Sequence, residues 1–163
     1  MAASPTSGRA YRALRYGNSP ISKSTGTLAA TTVALFTVAG GRVAITSLFG
    51  LVGTAITVAN SYKLQNNPTT GDTTDICAAT DIGTTDSAAG TIIGFGQGTT
   101  AAPPLLKGGF NIPSDLILPV GQIESVSAGT DGEITWYLTW VPYDVGATVV
   151  AACRLPGARS ASS

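Results

Sequence analysis

The chain has 163 residues and a mass of 16.4 kDa, which fits one domain able to bury about 70% of the surface its unfolded chain exposes. With 11% charged residues, 44% apolar residues and no His, it is neither a charged disordered tail nor a salt-bridged helical rod, and it lacks the commonest general base and metal ligand. The net charge is zero but sorted along the chain: Arg9, Arg12, Arg15 and Lys23 stand in front without an acid, Arg154 and Arg159 stand at the back, and all nine acids lie between.

Residues 1–32 are punctuated by Pro5, Gly8, Gly17, Pro20 and Gly26, with Tyr11, Leu14, Tyr16 and Ile21 thinly spaced. No strand or helix pattern persists there, so they read as an extended basic N-terminal arm whose ordering entropy is not met by its own apolar content. They contain no apolar run of the signal-peptide kind. The β domain is expected over 33–152, followed by a flexible basic tail over 153–163.

Strand vocabulary begins with Thr32–Ala39 and Arg42–Phe49, and the Gly40-Gly41 pair between them reads as a hairpin turn. The uncharged stretch from Val43 to Ala59 is at the short limit for a membrane span. Its β-branched content favours strands, and from Thr54 the alternation of Ile56, Val58, Asn60, Tyr62 and Leu64 on one parity is that of a strand, placed at Ala55–Gln65. Asn66-Asn67-Pro68 ends it. A Thr/Asp-rich stretch from Thr69 to Gly90 reads as exposed loops with a short strand at Thr74–Ala79. Short strands follow at Thr91–Phe95, Leu116–Leu118 and Gln122–Ala128.

The clearest element is Glu133–Pro142, with Ile134, Trp136, Leu138 and Trp140 on one face and Glu133, Thr135, Tyr137 and Thr139 on the other. Asp131-Gly132 before it predicts a hairpin with Gln122–Ala128. Trp136, Leu138 and Trp140 are the expected core anchors; a sugar-stacking platform is the other use of paired tryptophans. A last strand covers Ala147–Cys153. Eight to ten short strands with turns at intervals of about ten residues predict an all-β fold, a single β-sandwich, jelly roll or small barrel.

Catalytic and metal chemistry finds little footing. Cys77 and Cys153 are too few for a zinc framework and are expected as buried thiols, their pairing open. Asp72, Asp75, Asp81 and Asp86 match no calcium-loop spacing, and Gly94-Phe95-Gly96-Gln97-Gly98 lacks the Lys and following helix of a phosphate loop. No enzyme activity, metal or cofactor is therefore expected. Binding remains. Arg9, Tyr11, Arg12, Arg15, Tyr16 and Lys23 mix guanidinium groups with aromatic rings, suiting phosphates and bases or a protein groove. The acidic body disfavours nucleic acid, so a protein surface is the preferred partner.

The runs ALFTVAGGRVAITSLFG, ITVANSYKLQNNPTTGDTTDICAATDI and GEITWYLTWVPYDVGATVVAA, together spanning about residues 34–152, resemble small β-rich structural proteins of tailed bacteriophages. The resemblance implies a virion component made in the bacterial cytoplasm: a capsid decoration or minor capsid protein that sits on the capsid exterior as a homotrimer, binds the major capsid protein and reinforces the shell. No membrane association is implied. The long basic front segment departs from a pure decoration module and leaves open a tail or head-fibre adhesion subunit that binds carbohydrate.

Overall fold

The computed structural model describes residues 20–96, 102–108 and 116–153. These residues contain no helix and form the strands β1 (Ile21–Thr27), β2 (Thr31–Ala39), β3 (Val43–Thr54), β4 (Ser61–Pro68), β5 (Thr74–Asp75), β6 (Thr80–Asp81), β7 (Ile92–Phe95), β8 (Leu105–Lys107), β9 (Leu116–Leu118), β10 (Gly121–Ser127), β11 (Glu133–Pro142) and β12 (Thr148–Ala151). The strands pair into two antiparallel sheets. The first runs β1-β11-β3-β7-β8, with β9 also on β3; the second runs β12-β2-β10-β4-β5, with β6 also on β4. The expected all-β class is the one formed, and its architecture is a β-sandwich.

Alternation along each long strand decides which face turns inward. Ile134, Trp136, Leu138 and Trp140 of β11, Tyr62 and Leu64 of β4 and Ile123 of β10 all point into the space between the sheets. Trp136 is completely buried and lies parallel to Tyr62 at 6.1 Å between ring centroids, with Phe95 tilted against it at 6.5 Å. Its indole Nε1 donates to the Tyr62 hydroxyl over 2.8 Å. Gly50 makes room beneath the indole, since a Cβ there would come within 2.8 Å of Ile134 Cγ2 and 3.3 Å of the Trp136 ring.

Of the four register shifts in the sheets, two reset the inward alternation of long strands. In β3 the register against β11 shifts between Thr139 and Trp140, so the inward set passes from Val43 and Ile45 to Leu48, Gly50 and Val52. In β2 the register against β10 shifts between Ile123 and Glu124, and the successive residues Leu35 and Phe36 are both buried. An extra residue in one strand of a pair turns the side chains beyond it to the other face.

Several expectations are corrected. Residues 21–27, read as part of the arm, form β1, which pairs with β11 from Ile21↔Leu138 to Thr27↔Glu133; β2 begins at Thr31, so the body starts near residue 20. Neither predicted hairpin forms. β2 lies in the second sheet and β3 in the first, and β10 and β11 are divided in the same way. Each connection is an arch between sheets, which sets the buried faces of its two strands against each other instead of side by side. The strand expected over Ala55–Gln65 is a bend after β3, bridged at Ile56↔Ser87, and then β4. The uncharged run Val43–Ala59 is β3 and this bend, and no helix among the described residues is long and apolar enough to cross a membrane.

Candidate interaction surfaces

Of the predicted partner-binding residues, Lys23 is described; Arg9, Tyr11, Arg12, Arg15 and Tyr16 lie outside the described residues, as does the tail beyond Cys153. Lys23 stands in β1 opposite Trp136, in the edge strand of the first sheet among the described residues. Beside it runs an open groove of ≈ 790 Å³ between β1 and β2, lined by Lys23, Thr25, Thr32, Ala34, Thr37 and Cys153, among others. The groove exists because β12 is short. It pairs with β2 only from Ala39 to Phe36, and the amide of Ala152 adds one more bond to Leu35. The part of β2 before Leu35 therefore has no ladder partner on that side among the described residues. Ser and Thr hydroxyls share the lining with the apolar Val33, Ala34 and Ala152, together with one ammonium. The basic front segment enters β1 just ahead of Lys23, and the basic tail leaves after Cys153, so both cationic ends join the body on this flank.

Cys153 is exposed, contrary to the expectation of two buried thiols, because it lies past the last β12 pairing; Cys77 is buried, and the two do not pair with each other. Burial pushes the Cys77 thiol up to about 12, and its sulfur accepts the Leu64 amide at 3.0 Å.

Four aspartates of the body are structural ties. Asp144 holds Arg42 by two contacts of 2.9 Å to the guanidinium and one of 2.8 Å to the backbone amide, which holds its carboxyl down at about 2. Asp131 accepts from the Thr57 amide and hydroxyl at 2.8 Å, which lowers its pKa, and from the Val58 amide. Asp81 takes the Thr84 hydroxyl and the amides of Gly83, Thr84 and Asn60, which lower it further. Asp75 pairs with Lys63 at 2.6 Å. Among the described residues no group of three or more His, Cys, Asp or Glu is placed to hold a metal ion.

The two outer faces of the sandwich differ in chemistry. On the second sheet Glu124 accepts from Gln65 at 2.8 Å and Asn67 at 3.0 Å, next to the Lys63–Asp75 pair. On the first sheet the outward row Ser22–Tyr137–Phe49 and the row Ser24–Thr135–Leu51–Ile92 cross the strands. Phe49 and Tyr137 stack at 5.2 Å and 13°. Ile92, Leu106 and Ile117 add side chains that are 41%, 44% and 47% exposed. Sequence reading missed this surface because the bulge in β3 moves the inward residues from the parity of Ile45 to that of Leu48, so the outward Phe49 and Leu51 stand on the parity that was inward before the bulge. Both tryptophans are inside, Trp136 at 0% and Trp140 at 7% exposure, so neither offers a face to a sugar.

Comparison with protein-family models, with curated proteins and with solved structures finds no match to this chain. The likeness to tailed-phage structural proteins thus rests on the sequence pattern alone.

Proposed function

We propose that the chain is a virion structural protein of the capsid-decoration or minor-capsid kind, which binds the outside of the shell as an oligomer and fastens itself through its cationic front segment. The observation that carries this reading is that Lys23 and Cys153, beside which the two basic segments join the described body, line one groove, while all nine acids lie between those segments in the sequence. Cationic segments that join the body at neighbouring points favour an acidic protein surface as partner and give the encounter a preferred orientation. Arg pairs with carboxylates in bidentate fashion, and Tyr buries area at small entropic cost. Several copies linked in one oligomer hold a shell more firmly than any single segment does, because the second and third contacts form at high effective concentration.

The test is binding to purified shells. The comparison must use a chain beginning at Pro20, because one beginning at Thr32 would lack β1 and uncover the strand that carries both tryptophans. The shortened chain and the triple variant Arg9→Ala, Arg12→Ala, Arg15→Ala should keep the parent's melting midpoint. Each should bind shells roughly ten- to a hundredfold more weakly, the scale of one or two lost charge-assisted contacts. Undiminished binding by either rules the fastening role out.

A further inference from the structure

We infer that the outer face of the first sheet is the surface on which two copies of this chain pair, face to face about a twofold axis. Among the described residues this face carries one charged side chain, Glu133, at its margin, and the Ser24 hydroxyl already donates to it. In the middle, Thr46 and Thr139 spend their hydroxyls on each other at 2.8 Å. Removing water from this face therefore strands few polar groups, which is the condition for a dry contact. The large side chains on the outer surface of these strands are Phe49, Leu51, Ile92, Leu106, Ile117 and Tyr137, with the hydroxyls of Ser22 and Thr135 among them.

Charge and size point to a second copy as the occupant. Around a twofold axis residues meet their own images or near neighbours, so charges close to the axis repel and an uncharged face is self-compatible. The second sheet's outer face suits such a contact less well, since the Lys63–Asp75 pair and the Glu124 carboxylate, held by Gln65 and Asn67, would lose their water there. The five-strand path of the first sheet, at about 4.8 Å between strands and about 3.3 Å per residue, presents on the order of 500 Å². Two copies then bury roughly 1,000 Å², which reaches the lower bound of a specific interface. A twofold pairing can set the aromatic pair on β3 and β11 of one copy against the aliphatic side chains of β7 and β8 of the other. It gives even-numbered assemblies, in contrast to the trimer that the phage resemblance implies.

The pairing does not rest on the virion reading, because it should occur with the pure full-length chain in solution. Sedimentation velocity with light scattering should show a dimer, or an even multiple of it. The double variant Ile92→Glu, Leu106→Glu should weaken association by roughly a hundredfold or more, since two carboxylates per copy would be buried unpaired. Both positions are open to solvent in the single chain, so the variant should keep its circular dichroism and melting midpoint. Should the double variant fail to fold, Ile117→Glu alone puts a carboxylate on the same face and should also weaken association. Val145→Glu, at a fully exposed position on the connection before β12, should leave association unchanged. A parent chain that runs as a monomer or a trimer, or a dimer that survives the folded face variants, overturns the proposal.

Discussion

At the scale of single residues, the interior depends on polar groups whose partners come from distant parts of the chain. Trp136 Nε1 and the Tyr62 hydroxyl join β11 to β4 across the core, and burial drives the Tyr62 phenol well above its ordinary range. Replacing Tyr62 by Phe keeps the stacked ring and removes the acceptor, leaving a buried indole N–H unsatisfied. That should cost about 1–3 kcal/mol, read as a lower urea midpoint with the slope unchanged; a midpoint equal to the parent's would show that the bond contributes nothing. Asn60 shows what a sequence hides. It sits on the apolar parity with Tyr62 and Leu64, and in the structure it is fully buried, its side-chain oxygen accepting the amides of Ala128 and Gly129 at 3.0 and 2.9 Å. The amides that satisfy it come from the far end of β10, a partner that only the fold supplies. The inward side of β11 was legible for a simpler reason: four large apolar residues at spacing two admit one burial pattern.

At the scale of elements, most of the longer strands were legible and their partners were not. A hairpin and an arch both need two alternating strands and a glycine-bearing turn, so Gly40-Gly41 and Asp131-Gly132 fit either. Sheet membership is decided by which buried faces must oppose each other, a long-range condition that no window of sequence contains. The loss of β1 to the arm has a related cause. ISKSTGT holds one large apolar residue, and its place is set by the free edge of β11 and by the Ile134 amide bonding to Thr25. The β10–β11 arch can be tested at its turn. Gly132 has φ +80, and a Cβ there would lie 2.4 Å from Ile56 Cγ1 and 2.9 Å from the Ala55 carbonyl oxygen. Gly132→Ala should combine left-handed backbone strain with a clash against the bend after β3, costing roughly 1–3 kcal/mol. The effect should appear as faster unfolding if the arch closes late in folding, or as slower folding if it closes early. An unchanged melting midpoint would mean that the arch relaxes freely and does not fix the sheets.

At the scale of the whole molecule, three aspartates tie connections at the ends of the sandwich. Asp144 fastens the β2–β3 arch to the β11–β12 connection, Asp131 fastens the β10–β11 arch to the bend after β3, and Asp81 fastens the start of β4 to the loop beyond β6. Each carboxyl is held below the usual carboxylate range by the donors it accepts: first the Thr84 hydroxyl for Asp81, the Thr57 amide for Asp131 and the Arg42 guanidinium for Asp144. A carboxyl with a depressed pKa stabilises the fold fully above its unfolded value, about 3.9, and loses that contribution as pH falls through the folded value. The melting midpoint should therefore be level above about pH 5 and fall steadily as the pH approaches 2, the value to which Asp144 is lowered. Asp144→Ala should melt below the parent at pH 7, and the gap should close toward pH 2, where the parent's carboxyl protonates and releases Arg42. Added salt should narrow the gap at pH 7, because the Arg42–Asp144 pair is partly open to solvent and screened. A gap that stays constant from pH 7 to pH 2 would show that Asp144 acts through packing and not through charge. The acid sensitivity of the sandwich would then have to arise elsewhere, from Asp81 and Asp131 or from the positive charge that the whole chain gains when its carboxylates protonate.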